Sequence, residues 1–166
     1  MAADPLLTLH GEHEVIRLRL RSFERLLDAA MNRESAGEAE LAVFLETLGF
    51  LRDAVERHMR REEAALLPIL EERVGRYGTL VNVIAYDHAE IRRAAGKLGG
   101  SLAALEAKAS MPHVPELHEF NRHGIFLVQY LGLHMAKEDT SLAEAARQAL
   151  GEEGLREVAR RLEEIG

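Results

Sequence analysis

Cysteine and tryptophan are absent from the 166 residues, and proline occurs only four times. Without cysteine the chain forms no disulfide and offers no thiolate, so any metal must be held by histidine, aspartate or glutamate. No apolar run approaches the ~18 residues that a membrane-spanning helix requires. The opening "MAADPLLTLHGEHEV" has neither a basic n-region nor a clean apolar h-region, which points away from a secretory signal and toward a soluble, cytoplasmic protein. Basic residues are outnumbered, 21 Lys and Arg against 28 Asp and Glu, for a formal charge of −7. That balance argues against nucleic acid as the main partner.

What the chain does have is helix-forming sequence, rich in Ala, Leu, Glu and Arg, with 47% hydrophobic and 30% charged residues. The apolar period predicts four long helices and a short fifth. The first begins at Asp4-Pro5, a capping acceptor followed by proline, and buries Leu6, Leu9, His13, Ile16, Leu20, Phe23 and Leu27. "NRESAGEAE" breaks it, and Ser35 with Glu38 suggests a capping box for the second helix. The second stripe is Phe44, Leu48, Leu51, Val55, His58, Glu62, Leu66 and Ile69, with Pro68 inside the helix and expected to bend it. After the "VGRYG" turn comes Val81, Ile84, His88, Ile91, Ala95, Leu98 and Leu102, weakened by Gly99-Gly100. "SMPHVPE" precedes the fourth stripe: Phe120, Leu127, Tyr130, Leu131, His134, Glu138 and Leu142. Nothing alternates with period two for long enough to make a sheet. The expected fold is therefore all-α, an antiparallel four-helix up-down bundle over about residues 5–150. A fifth helix over about 152–165 packs across it through Leu155, Val158, Ala159 and Leu162, in a single domain of residues 1–166.

The two halves resemble each other. "EHEVIR" (12–17) and "DHAEIR" (87–92) share the pattern acid-His-x-x-Ile-Arg, and "HMRREE" (58–63) and "HMAKED" (134–139) share His-Met-x-x-Glu-acid. His13 and His88 are 75 residues apart and His58 and His134 are 76 apart, so a helix pair is duplicated with approximate two-fold symmetry. His13, His58, His88 and His134 all fall on apolar stripes and point into the bundle, joined by Glu62 and Glu138 one turn beyond His58 and His134. A His and a Glu at i, i+4 lie ~6 Å apart along the axis and converge on one metal centre. Buried carboxylates are expensive unless paired or metal-bound, and two ions sharing two carboxylates would relieve that penalty. A single histidine on an apolar stripe is ordinarily a hydrogen-bonded core residue, and isolated His-x-x-x-Glu pairs are common on solvated faces. Four histidines and two carboxylates placed by a repeat favour the metal site.

"HMRREEAALLPIL" resembles the second-helix signature of hemerythrin-like (HHE cation-binding) domains, and "EHEVIR", "DHAEIR" and "HMAKED" resemble its companions over about residues 10–145. The ferritin-like alternative uses Glu-x-x-His pairs, whereas the order here is His-x-x-x-Glu. The resemblance implies a non-haem di-iron centre, oxo- or hydroxo-bridged, with His13, His58, His88 and His134 as terminal ligands and Glu62 and Glu138 as bridges. Oxygen-carrying members have five histidines, two of them as His-x-x-x-His on the third helix; here that second position is Arg92. His10, one turn before His13, is either a substitute fifth ligand or a residue outside the ligand set, and its counterpart in the second half is Ala85. Mixed imidazole and carboxylate donors also suit manganese or zinc.

Glu63 reads as a solvated helix residue rather than a further ligand. His123, ~16 Å along the helix from His134, is too far for the same centre. It either pairs with Glu119, as a polar contact or a minor metal site, or is a satisfied boundary histidine. His113 and His118 lie in or near the Pro-containing break and should be exposed, and Tyr130 either reaches the site or packs as a core aromatic. Apolar walls from Leu51, Val55, Ile16, Ile91 and Leu131 would restrict water around the ions. The expected function is binding or sensing a small oxidant such as O₂, peroxide or nitric oxide. The alternatives are a di-iron oxidoreductase that breaks down peroxide, and an iron-storage or regulatory module. The fifth helix is also placed to mediate a homodimer.

Overall fold

The computed structural model describes residues 4–108 and 114–165. Helix α1 spans Pro5–Arg33, capped by Asp4, whose carboxylate accepts from the Leu6 N–H at 2.9 Å. Helix α2 covers residues 38–74 and includes two wide π turns, Leu51–Val55 and Glu62–Leu66. Helix α3 is Leu80–Glu106. Helix α4 covers residues 114–150, with a π turn at Glu138–Leu142. Gly151 interrupts it with φ 59°, a left-handed conformation that glycine adopts without strain, and α5 follows over 152–165. No strand occurs among the described residues.

Adjacent helices run antiparallel, as paired contacts show. On α1 and α4, His13 meets Asp139 while Leu27 meets Gly124. On α1 and α2, Glu12 meets His58 while Phe23 meets Phe44. On α2 and α3, Glu63 meets His88 while Leu48 meets Gly99. On α3 and α4, Asp87 meets His134 while Lys108, just beyond the end of α3, meets Glu116. The ring of helices is therefore the up-down bundle that the apolar periods predict.

Two apolar layers fill it. One contains Phe23, Phe44 and Phe120, whose rings lie 4.8–6.1 Å apart between centroids, together with Leu27, Leu98 and Leu105. Rings at such spacings add about 0.5–1.5 kcal/mol per pair beyond area burial. The other holds Leu6, Leu9, Leu66, Leu70, Ile84, Leu142, Val158 and Leu162, so α5 completes it across the ends of α1, α2 and α4. Between the layers lie His13, His58, Glu62, His88, His134 and Glu138, all buried.

Several local expectations need correcting. The N-terminus of α2 is capped at Gly37, not Ser35: the Gly37 N–H donates to the Glu40 carboxylate at 2.9 Å. Glu34, at φ 52°, ends α1 in a left-handed cap whose following N–H still bonds back to Ala30, so Ser35 is spent closing the first helix. On α3 the buried alanine is Ala94, with Ala95 only half-buried, and on α2 Leu48 is half-buried beside a buried Thr47. Gly99-Gly100 lies inside α3, which runs on past Leu102 to Glu106 in keeping with the apolar stripe. Pro68 lies within α2 as expected, just after a π turn whose Leu67 N–H donates to the Glu62 carbonyl, five residues back. Proline cannot be the general cause of that turn. The second half repeats it at Glu138–Leu142, where the position matching Pro68 is Glu144. Both of these repeated π turns begin at a buried glutamate, Glu62 or Glu138.

Candidate metal centre

Each helix of the bundle delivers one histidine to the central layer. On α2 and α4 the glutamate follows one turn later, at the start of the widened turn. The six side chains form two four-residue groups of converging ligand atoms. His13 and His58 with Glu62 and Glu138 make one; His88 and His134 with the same two glutamates make the other. Glu138 stands between them. Its Oε2 lies 3.1 Å from Nε2 of His13 and 3.8 Å from that of His58. Its Oε1 lies 2.9 Å from Nε2 of His134 and 3.5 Å from that of His88. Glu62 Oε2 is 3.3 Å from His88 Nε2 and 3.7 Å from His58 Nε2.

The other nitrogen of every imidazole faces a further carboxylate. His13 Nδ1 lies 2.7 Å from Asp139, His58 Nδ1 2.7 Å from Glu12, His88 Nδ1 2.9 Å from Glu63, and His134 Nδ1 3.3 Å from Asp87. Each carboxylate is in turn held by a cation: Asp139 by Arg17, Glu12 by Arg61, Glu63 by Arg92 and Asp87 by Lys137. Tyr130 donates to Asp87 as well, at 3.0 Å. These contacts hold the carboxyls of Asp139, Glu63 and Asp87 below the usual carboxylate range, although burial, the largest single influence on each, opposes them. A carboxylate at Nδ1 makes that nitrogen the N–H donor and leaves Nε2 with its lone pair turned inward.

The consequence is a buried cage of acceptors. Glu62 Oε2, His88 Nε2, His134 Nε2 and both carboxylate oxygens of Glu138 are buried without a hydrogen-bond partner. His13 Nε2 and His58 Nε2 face each other at 2.9 Å. Lone pairs directed at one another in a dry interior need a cation or protons between them. The chain without an ion shows the same demand in its titration. Burial works against charge on His58 and His88, yet the carboxylates of Glu62 and Glu138 raise both, His88 to about 9. Burial and the charge of Glu138 raise Glu62, whereas Glu138, despite its own burial, is held well below the usual range by the four histidines. Four imidazoles and two carboxylates at this spacing suit two divalent ions sharing the glutamates.

His10 is outside both buried groups. It is exposed, with Nδ1 2.9 Å from Asp139, in a third and shallower group with His13 and Asp139. His123 contacts Glu119 at 3.3 Å and belongs to no ligand group among the described residues. His118 is exposed on α4, and His113 lies outside the described residues. Glu63 is not simply solvated: it receives His88 and Arg92 together. Glu12, Asp87 and Asp139 were likewise not singled out from the sequence. The signal was available in the shared letters of the repeat, since the acid and the Arg of acid-His-x-x-Ile-Arg and the last acid of His-Met-x-x-Glu-acid all take part.

A pocket of about 240 Å³ reaches this layer from the surface between α1 and α4, lined by Leu6, His10, His13, Glu62, Leu66, Glu138, Asp139 and Leu142 among others. It touches the His13 side of the centre and neither His88 nor His134. No helix among the described residues is long and apolar enough to cross a membrane.

No curated protein matches the chain. The family model of the hemerythrin HHE cation binding domain matches residues 4–110, well over half of the sequence, and this stretch contains His13, His58, Glu62 and His88. His134 and Glu138 follow beyond it and repeat the spacing of His58 and Glu62. With the bundle and its buried histidines and glutamates in place, that match identifies the chain as a member of the hemerythrin HHE cation-binding domain family.

Proposed function

We propose that the chain holds two ions, iron foremost, with His13 and His58 serving one, His88 and His134 the other, and Glu62 and Glu138 shared. In this reading the centre binds or senses a small oxidant: O₂, peroxide or nitric oxide. One observation carries it: Glu138 turns one oxygen toward each histidine pair, in a buried layer where neither oxygen has a hydrogen-bond donor. Iron is preferred over manganese or zinc through the resemblance to di-iron hemerythrin-like bundles; the donor set alone suits all three. Bound iron would supply reversible one-electron chemistry and an open position for a diatomic molecule or peroxide.

The chain's own residues do the rest. The four carboxylates at Nδ1 fix ring orientation and make each Nε2 a better donor to a cation. The apolar layers on either side, with Ile16, Val55 and Ile91 on one and Leu66 and Ile84 on the other, keep bulk water out. The pocket is smaller than the roughly 300–1,000 Å³ typical of organic-ligand sites, which favours a species of a few atoms.

The test is metal analysis of protein produced with ample iron, combined with optical spectra before and after O₂, peroxide or nitric oxide. Two irons per chain and a reversible spectral change support the reading. Absence of stoichiometric metal would sink it, and steady peroxide consumption with O₂ release would move it to catalysis.

A further inference from the structure

The cage is deeply enclosed: none of its six side chains is more than 3% exposed. An ion must nevertheless reach it, and a divalent ion gives up its water shell at great expense unless ligands replace the waters one at a time. Resting on the two-ion reading above, we propose that His10 and Asp139, with His13 behind them, form a loading site that captures a divalent ion at the surface and passes it to the buried cage.

Three observations support this. Exposure grades inward along the pocket: the His10 side chain is 48% exposed, Asp139 16%, and Glu138 and Glu62 1% each. Donor atoms follow the same path. His10 Nδ1 and Asp139 Oδ1 lie 2.9 Å apart. His13 joins them in a group close enough to share one ion once its Nδ1 gives up the proton it donates to Asp139. The two cage glutamates line the same pocket. Asp139 is also the chain neighbour of Glu138, so an ion leaving one carboxylate meets the next. The pocket's 240 Å³ exceeds the roughly 180 Å³ that six waters fill in the liquid, so a largely hydrated ion can enter before exchange begins.

The arrangement also breaks the repeat in a way that cage building does not require. Every cage residue, and every carboxylate behind it, has a counterpart in the other half, whereas His10 is matched by Ala85. The pocket is lined by Leu6 and Leu9 on α1 and by none of the matching residues Val81, Ile84 and Ala85 on α3. Capture is thus built on one side only. The ion for the His88 and His134 position passes the shared glutamates.

The experiment is cobalt(II) loading of the full ion-free chain, followed by its visible absorption in a stopped-flow instrument over a range of cobalt concentrations. The unaltered chain should load with a rate that saturates as cobalt rises, the mark of capture before transfer. His10→Ala, an exposed helical substitution, should load about tenfold more slowly. Its rate should rise linearly with cobalt, and its final stoichiometry and spectrum should not change. His118→Ala, which removes another exposed imidazole, should match the unaltered chain. An unchanged rate in His10→Ala overturns the proposal. So does a lower final stoichiometry, which would make His10 a permanent ligand. No cobalt uptake by the unaltered chain would overturn the two-ion reading itself.

Discussion

Nδ1 of His13 lies 2.7 Å from Oδ1 of Asp139, a residue 126 positions away in the other half of the repeat. The symmetry-related contact joins His88 to Glu63 at 2.9 Å. The two halves are thereby tied reciprocally, each providing the carboxylate that orients a histidine of the other. The remaining two contacts, His58 to Glu12 and His134 to Asp87, stay within their own halves. Asp139→Asn and Glu63→Gln should therefore behave as a matched pair. Each keeps the shape but removes the charge that makes Nε2 a strong donor, and each should weaken one ion about 10–100-fold while sparing the other. Titration with a competing chelator measures this; equal loss of both ions from either variant would contradict the pairwise assignment.

The two glutamates are not equivalent. Glu138 faces all four histidines through its two oxygens, whereas Glu62 approaches His58 and His88 through Oε2. Glu138→Ala should abolish retention of both ions on gel filtration, while Glu62→Ala should retain a fraction. Quantifying metal in the protein peak tests the order. Unchanged occupancy in either variant would rule out its bridging role.

Helix α1 and helix α4 approach closely where Gly124 sits. A Cβ there would lie 2.6 Å from Leu27 Cδ1 and 3.3 Å from the Phe23 ring, and both neighbours are almost fully buried. Gly124→Ala should destabilise the fold by about 1–3 kcal/mol through overpacking. Gly11→Ala, on the exposed face of α1 with nothing within 4 Å, should instead stabilise it by about 0.5–1 kcal/mol. Urea unfolding of the two variants, with metal removed, should give midpoints displaced in opposite directions.

How far these features could be read in the sequence depends on where they sit relative to the apolar stripes. His13, His58, Glu62, His88, His134 and Glu138 lie on the stripes, so the helical period alone aims them inward and the structure brings them together. Glu12, Glu63, Asp87 and Asp139 lie beside the stripes, where period reasoning assigns charged residues to water. Only the duplicated motif distinguishes them from ordinary surface acids. The π turns were hidden for another reason: one extra residue in one turn hardly disturbs a periodic pattern, and Pro68 marks only one of the two repeated turns. The start of α2 was misplaced because two candidate caps lie close together, and the left-handed residue Glu34 commits the first of them to α1.

Loading the cage should release protons, and the ion-free chain should reveal why. Burial opposes a charge on His88, yet Glu138 and Glu62 raise its pKa to about 9, so at neutral pH the ion-free imidazole holds a proton that a metal must displace. His58 is shifted in the same direction. Apparent metal affinity should therefore rise with pH up to about 9, and mixing metal with weakly buffered protein at pH 7 should acidify the solution, which an indicator dye records. Stability carries the opposite sign. The folded-state pKa of His88 exceeds the 6.5 of an unperturbed histidine, so its proton stabilises the ion-free fold fully below pH 6.5. That contribution disappears as pH rises toward about 9. The melting temperature of the ion-free chain should fall across this window, whereas that of the loaded chain, whose Nε2 atoms carry metal in place of protons, should not follow it. Parallel melting curves for the two forms would show that the cage does not exchange protons for ions.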